Sequence, residues 1–138
     1  MKDNPLLKNA EQLAVNIESQ GGDHMFNQML ETAKDKLTTV NEIADGLPAP
    51  QVTVVLTNND NIYVTVNDVD GSICQKLKQN KDTTVVKILT MWKDGSIDLP
   101  SYSLRKALIK MDNKNCDASV LLQGKSQYLI KKLTEVMG

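Results

Sequence analysis

Near residue 50 the spacing of the apolar side chains changes, and no other feature narrows the possible folds as much. Upstream they recur every three or four residues, the period of a helix with one buried face. Downstream they alternate, the period of a strand. Leu6, Leu7, Ala10, Leu13, Ala14 and Ile17 make a first helical stripe, opened by Asn4 and Pro5 and closed by Gly21 and Gly22. Asp23 can cap a second helix with the stripe Met25, Phe26, Met29, Leu30, Ala33, Leu37, Val40, Ile43 and Ala44, which Asp45, Gly46, Pro48 and Pro50 stop. After the switch, residues 52–56 and 62–66 are rich in β-branched side chains and flank the turn residues Asn58, Asn59, Asp60 and Asn61, so they read as a hairpin.

The rest of the chain alternates helix and strand. Asp70, Gly71 and Ser72 open a short helix that runs to about Asn80. Residues 84–91 form a third strand and 93–96 a turn. A helix follows Pro100 with Leu104, Ala107, Leu108 and Met111 inward. Residues 117–122 and 127–130 are two further strands, and 131–137 a closing helical turn. A hairpin followed by β-α-β units predicts an α/β fold with a mixed five-stranded sheet and helices on both faces. The 138 residues are expected to form one domain, with 1–47 its N-terminal helices and 51–138 its α/β part, because about 50 residues alone give only a marginal core.

Composition excludes several classes. With 41% hydrophobic and 24% charged residues the chain is neither disordered nor collagenous. No run approaches the roughly 18 apolar residues of a membrane span, and the first residues carry no apolar signal core. A net charge of −1 gives no basic field for nucleic acid, so neither membrane nor nucleic acid is expected as a partner. The two cysteines, Cys74 and Cys116, fit a reducing, cytoplasmic setting. Charge is uneven: residues 1–50 hold four lysines against eight acids, and residues 51–138 hold twelve basic residues against nine.

Two short segments carry a family resemblance. Asn67-Asp68-Val69 follows the hairpin and Cys74-Gln75-Lys76 lies at the next helix start. Pro100-Ser101-Tyr102-Ser103-Leu104-Arg105-Lys106-Ala107-Leu108 opens the helix after the third strand. In this order residues 51–137 resemble the cytidine deaminase family. There a hairpin leads to an Asn-Val-Glu-like stretch, then to a Cys-Ala-Glu or His-Ala-Glu motif, and after a strand to Pro-Cys-x-x-Cys-Arg-Gln-x-Leu. Pro100, Arg105 and Leu108 match, while Ser101 and Leu104 stand where the two cysteines belong and Lys76 where the glutamate belongs. The resemblance implies a three-layer α/β/α, cytidine deaminase-like fold.

It also implies a degenerate zinc site at Cys74, Lys76, Ser101 and Leu104. A zinc deaminase needs three nitrogen or sulfur ligands, an open position for water and a separate proton-shuttling glutamate. Serine is a poor ligand at neutral pH, leucine cannot ligate and lysine carries the wrong charge. No catalytic residue, metal or cofactor is therefore expected. Asn67, Asp68, Tyr102 and Arg105 are candidates to line what is left of the pocket. Family members form dimers and tetramers, and Met25, Met29 and Leu30 offer apolar helix surface, so a two-fold homo-oligomer is expected.

The first functional reading is a non-catalytic deaminase-like protein that binds a small ligand or serves assembly. Its alternatives are an enzyme of unrelated chemistry using Cys74, Asp68 or Lys76, and a protein–protein module such as an effector or immunity partner. Other single residues read as structural. His24 lies beside Asp23 with no second histidine, Cys116 matches no motif, and the pairs Asp68/Asp70 and Asp94/Asp98 sit at turns where aspartate satisfies backbone amides.

Overall fold

The computed structural model describes residues 25–39, 50–68 and 71–137. The expected first helix, His24, the stripe residues Val40, Ile43 and Ala44, and Asp70 lie outside them. Among the described residues the order is α1 (Met25–Thr38), β1 (Gln51–Thr57), β2 (Ile62–Val66), α2 (Ile73–Gln79), β3 (Val85–Trp92), β4 (Ile97–Asp98), α3 (Tyr102–Met111), a 3-10 turn at Asn113–Asp117, β5 (Ser119–Gln123), β6 (Tyr128–Lys132) and a 3-10 turn at Leu133–Val136. At the end of α1 the hydroxyls of Thr38 and Thr39 bond back to the carbonyls of Asp35 and Lys36, at 2.6 and 2.7 Å. Adjacent β-branched residues with hydroxyls that compete for backbone carbonyls are a poor continuation for a helix.

The sheet runs β2-β1-β3-β5-β6, with β4 paired to β3 off that path. The five expected strands are present, and β4 makes a sixth. Two residues give no alternation to read. Turn chemistry creates β4: Asp94 accepts from the Ser96 amide and hydroxyl, Gly95 takes φ +93°, and the Trp92 amide donates to the Ser96 carbonyl at 2.9 Å. Every pairing is antiparallel except β3 with β5, whose parallel register Lys87↔Ser119 and Ile88↔Val120 requires a crossover, supplied by α3. Lys131 and Lys132, expected in the closing turn, extend β6 instead.

Alternation along the strands sorts the core into two halves. Val52, Val54 and Leu56 of β1, Leu89 and Met91 of β3, Leu121 and Tyr128 pack with Phe26, Met29, Leu30, Ala33 and Leu37 of α1. On the other face Val55, Ile88 and Val120 meet Ile73, Cys74 and Leu77 of α2, Leu104 and Leu108 of α3, and Leu133. The result is α/β/α in three layers, with β1 buried on both faces. Met29 is fully buried and Leu30 is 5% exposed. Both pack on the chain's own sheet, whereas Met25, the third residue expected at a dimer surface, is only partly buried against it.

Two buried polar joints lock the loops between these layers. Asn115 is fully buried; its side-chain oxygen accepts from the Val85 amide at 2.7 Å, and its amide nitrogen donates to the carbonyls of Leu108 at 2.8 Å and Thr83 at 3.0 Å. Asp82 accepts from Thr57, Asn59, Asn61 and Tyr63 at 2.8 to 3.0 Å, tying the hairpin turn to the loop before β3. Burial alone would raise the Asp82 pKa, but the four donors outweigh it and hold the carboxyl below its ordinary range.

Candidate functional site

The resemblance directs attention to the N-termini of α2 and α3, which meet on one face of the sheet. The approach begins at Asn67, which adopts φ +52°, a left-handed conformation that asparagine tolerates better than most residues. Its amide donates to the Gln51 carbonyl at 2.9 Å and its side-chain oxygen accepts from the Gln51 amide at 2.8 Å, which closes the base of the hairpin. The chain then turns under α2 and buries Asp68, which is 4% exposed. One carboxylate oxygen accepts from the amides of Gly71 and Ser72, at 2.7 and 2.9 Å. The other accepts from the Ile73 amide at 3.0 Å and the Thr65 hydroxyl at 3.2 Å. A buried carboxylate thus satisfies the amides that a helix start leaves free.

Ser101 performs the matching task on α3. Its hydroxyl accepts from the Leu104 amide at 3.1 Å and donates to the Asp68 carbonyl at 3.2 Å, so the cap of one helix is bonded to the entry turn of the other. Gly71, at φ +83°, lies where an added Cβ would stand 3.0 Å from the Ala107 Cβ and 3.5 Å from the Leu104 Cα. The first turns of the two helices are therefore in direct contact, and glycine is required by both the space and the backbone. Cys74 and Leu104 are both buried in the cluster between these helices and the sheet, Leu104 completely. Burial, reinforced by the nearby Asp68 charge and opposed by Lys78, pushes the Cys74 thiol up to about 11.

Beneath the junction the register places Thr65, Thr53, Thr90 and Asp98 in one row across β2, β1, β3 and β4. The hydroxyls of Thr53 and Thr90 are buried and bonded to each other at 2.8 Å. Sequence reading missed this row, because a threonine within a strand fits a surface as well as a core. The missed Asn115 and Asp82 had no motif around them either.

The structure brings Cys74, Ser101 and Leu104 to the junction. Lys76 is exposed on α2 and lines a groove of about 380 Å³ beside β2, which Thr65 and Ser72 also line and Cys74, Ser101 and Leu104 do not. Tyr102 is 55% exposed on α3, with the Arg105 guanidinium 5.6 Å from its ring centre. Arg105 donates from Nε to the Pro100 carbonyl at 3.0 Å and from a terminal nitrogen to the Val136 carbonyl, fastening the last turn to α3. Cys116 lies in the 3-10 turn before β5, and its thiol faces the Asn113 side chain. Among the described residues no three His, Cys, Asp or Glu side chains are grouped so as to hold a metal ion. No helix among them is long and apolar enough to cross a membrane.

One consequence concerns thiol reactivity. A rise from the ordinary value of 9.0 to about 11 lowers the thiolate fraction about 100-fold at pH 8. Iodoacetamide at pH 8 is expected to label Cys116 much faster than Cys74 in the native protein, and both alike once unfolded. Mass spectrometry of the alkylated peptides measures this, and equal native rates would contradict the burial of Cys74.

The chain matches no protein-family model and no curated protein. Among solved structures it is similar to cytidine deaminase from Mycobacterium tuberculosis, at TM-score 0.58 and 11% identity, over 80% of this chain and 92% of that one. A glutamate-to-glutamine mutant of the same enzyme gives TM-score 0.57 and 11% identity over 80% and 93%. At this identity the similarity establishes a cytidine deaminase-like fold.

Proposed function

We propose that this deaminase-like chain is a non-catalytic binding or assembly protein, in which the junction of α2 and α3 is a closed structural joint rather than a zinc site. The observation that carries this reading is the double engagement of Ser101, which caps Leu104 and bonds to Asp68 across the junction. The donor set beside it does not fit zinc. Leu104 offers no ligand atom, a serine hydroxyl is a weak ligand at neutral pH, and Cys74 is a buried thiol whose pKa lies well above 7. Asp68 is no free base either, since its two oxygens already accept four hydrogen bonds. Lys76 on the exposed side of α2 cannot replace a glutamate that carries protons between water and a base. Two free cysteines are compatible with a cytoplasmic protein.

The test is ammonia release from cytidine, with and without added zinc. The expected rate equals that of buffer in both cases. Release that disappears in Cys74→Ala would overturn the proposal.

A further inference from the structure

We infer that the outer edge of β2 is a docking groove for an extended acidic peptide, which would add a strand to the sheet. Among the described residues β2 ends the sheet, paired only with β1. The hairpin fixes which main-chain groups face outward. The Thr57 amide bonds to the Asn61 carbonyl at one end and the Asn67 amide to the Gln51 carbonyl at the other. With the register Thr53↔Thr65 and Val55↔Tyr63 between them, residues 61, 63, 65 and 67 turn toward β1. The amides and carbonyls of Ile62, Val64 and Val66 therefore point away from the sheet, a template for another strand.

A groove of about 380 Å³ follows that edge, with Val64 and Val66 among the residues that line it. Its walls come from both helical layers. Lys36 of α1 stands on one side, and Gln75, Lys76 and Gln79 of α2 on the other. Walls on both sides suit a strand, whose side chains alternate between faces and would reach one wall, then the other. Among the described residues the two charged side chains lining the groove, Lys36 and Lys76, are both lysines, which selects an acidic occupant. A second copy paired through β2 would bring the same lysines together, so like charges disfavour it. The groove reaches the start of α2 through Thr65 and Ser72 but is lined by none of Cys74, Ser101 and Leu104, so this inference does not depend on whether zinc binds at the α2–α3 junction.

The probe is the eight-residue peptide Val-Val-Glu-Glu-Val-Val-Glu-Glu, which presents glutamate to both walls, capped at both ends and titrated into nitrogen-15-labelled protein. Saturable amide shifts confined to β2, the end of α1 and the exposed face of α2 are expected. Val64→Pro removes an outward N–H while sparing the bonds to β1, and is expected to weaken binding at least tenfold with the native spectrum kept. Lys76→Glu is expected to do the same. A peptide N-methylated on the residues that face β2 should fail on the unaltered protein, so the inference is testable even if Val64→Pro misfolds. No saturable shift at millimolar peptide, equal binding by a valine–lysine peptide, shifts elsewhere, or self-association through β2 would overturn it.

Discussion

Replacing Asn115 by alanine is expected to lower the stability by about 3–4 kcal/mol, because the Val85 amide and the Thr83 carbonyl lose the Asn115 side chain in a site without solvent, and the Leu108 carbonyl keeps only the Asp112 amide. The Val85 amide and the carbonyls of Leu108 and Thr83 are bonded by this one side chain. An unsatisfied buried polar group costs about 1–3 kcal/mol, and partial relaxation of the turn keeps the sum below two full penalties. In a chain of this size the loss corresponds to a fall of about 10 °C in Tm, measured by circular dichroism. Aspartate in place of Asn115 keeps the acceptor for Val85 but turns a donor into a second acceptor, so it should not rescue. Asn113→Ala, at an exposed position of the same 3-10 turn, should change stability by less than about 0.5 kcal/mol. Equal effects at the two positions would mean that the Asn115 bonds do not hold β3, α3 and the turn together.

The second large effect is a gain of metal. With Cys74 between the helices, Ser101→Cys and Leu104→Cys together would place three thiols at the α2–α3 junction. Zinc deprotonates a coordinating thiol, so the high pKa of Cys74 in the unaltered chain is no obstacle once two further ligands share the ion. Without metal the double variant should be less stable by about 2–3 kcal/mol, from the lost leucine volume and the lost cap. Zinc should restore the Tm, because metal that binds only the folded state stabilises it. One zinc per chain is expected, falling to none when Cys74→Ser is added. A well-folded double variant that takes up no zinc would show that the three positions do not converge as the fold places them.

Much of the architecture was legible because it rests on periodicity. The hairpin, β3, α3 and β5 each carry an apolar pattern long enough to count, and the change of period near residue 50 separates α1 from β1. Where pattern gives out, so did the reading. β4 has two residues and exists through the Asp94–Ser96 turn. The stripe of α1 looked wide enough for a second subunit, yet apart from the partly buried Met25 it packs on a sheet whose strand β1 is buried on both faces. In the candidate site, Ser101 at a helix start could be read as a cap from Pro100 and the following helical pattern. Its bond to Asp68 could not, because that joins residues 33 apart in sequence. Asn115, Asp82 and the Thr53–Thr90 pair act through three-dimensional neighbours, and a single chain of letters gives no warning of them.

We propose a closed joint at the α2–α3 junction in place of a zinc site. Metal analysis of protein purified without chelator, then dialysed against zinc and against buffer, tests it most directly. Far less than one zinc per chain and no change in Tm on adding zinc are expected. One zinc per chain, lost in Cys74→Ala, would contradict it.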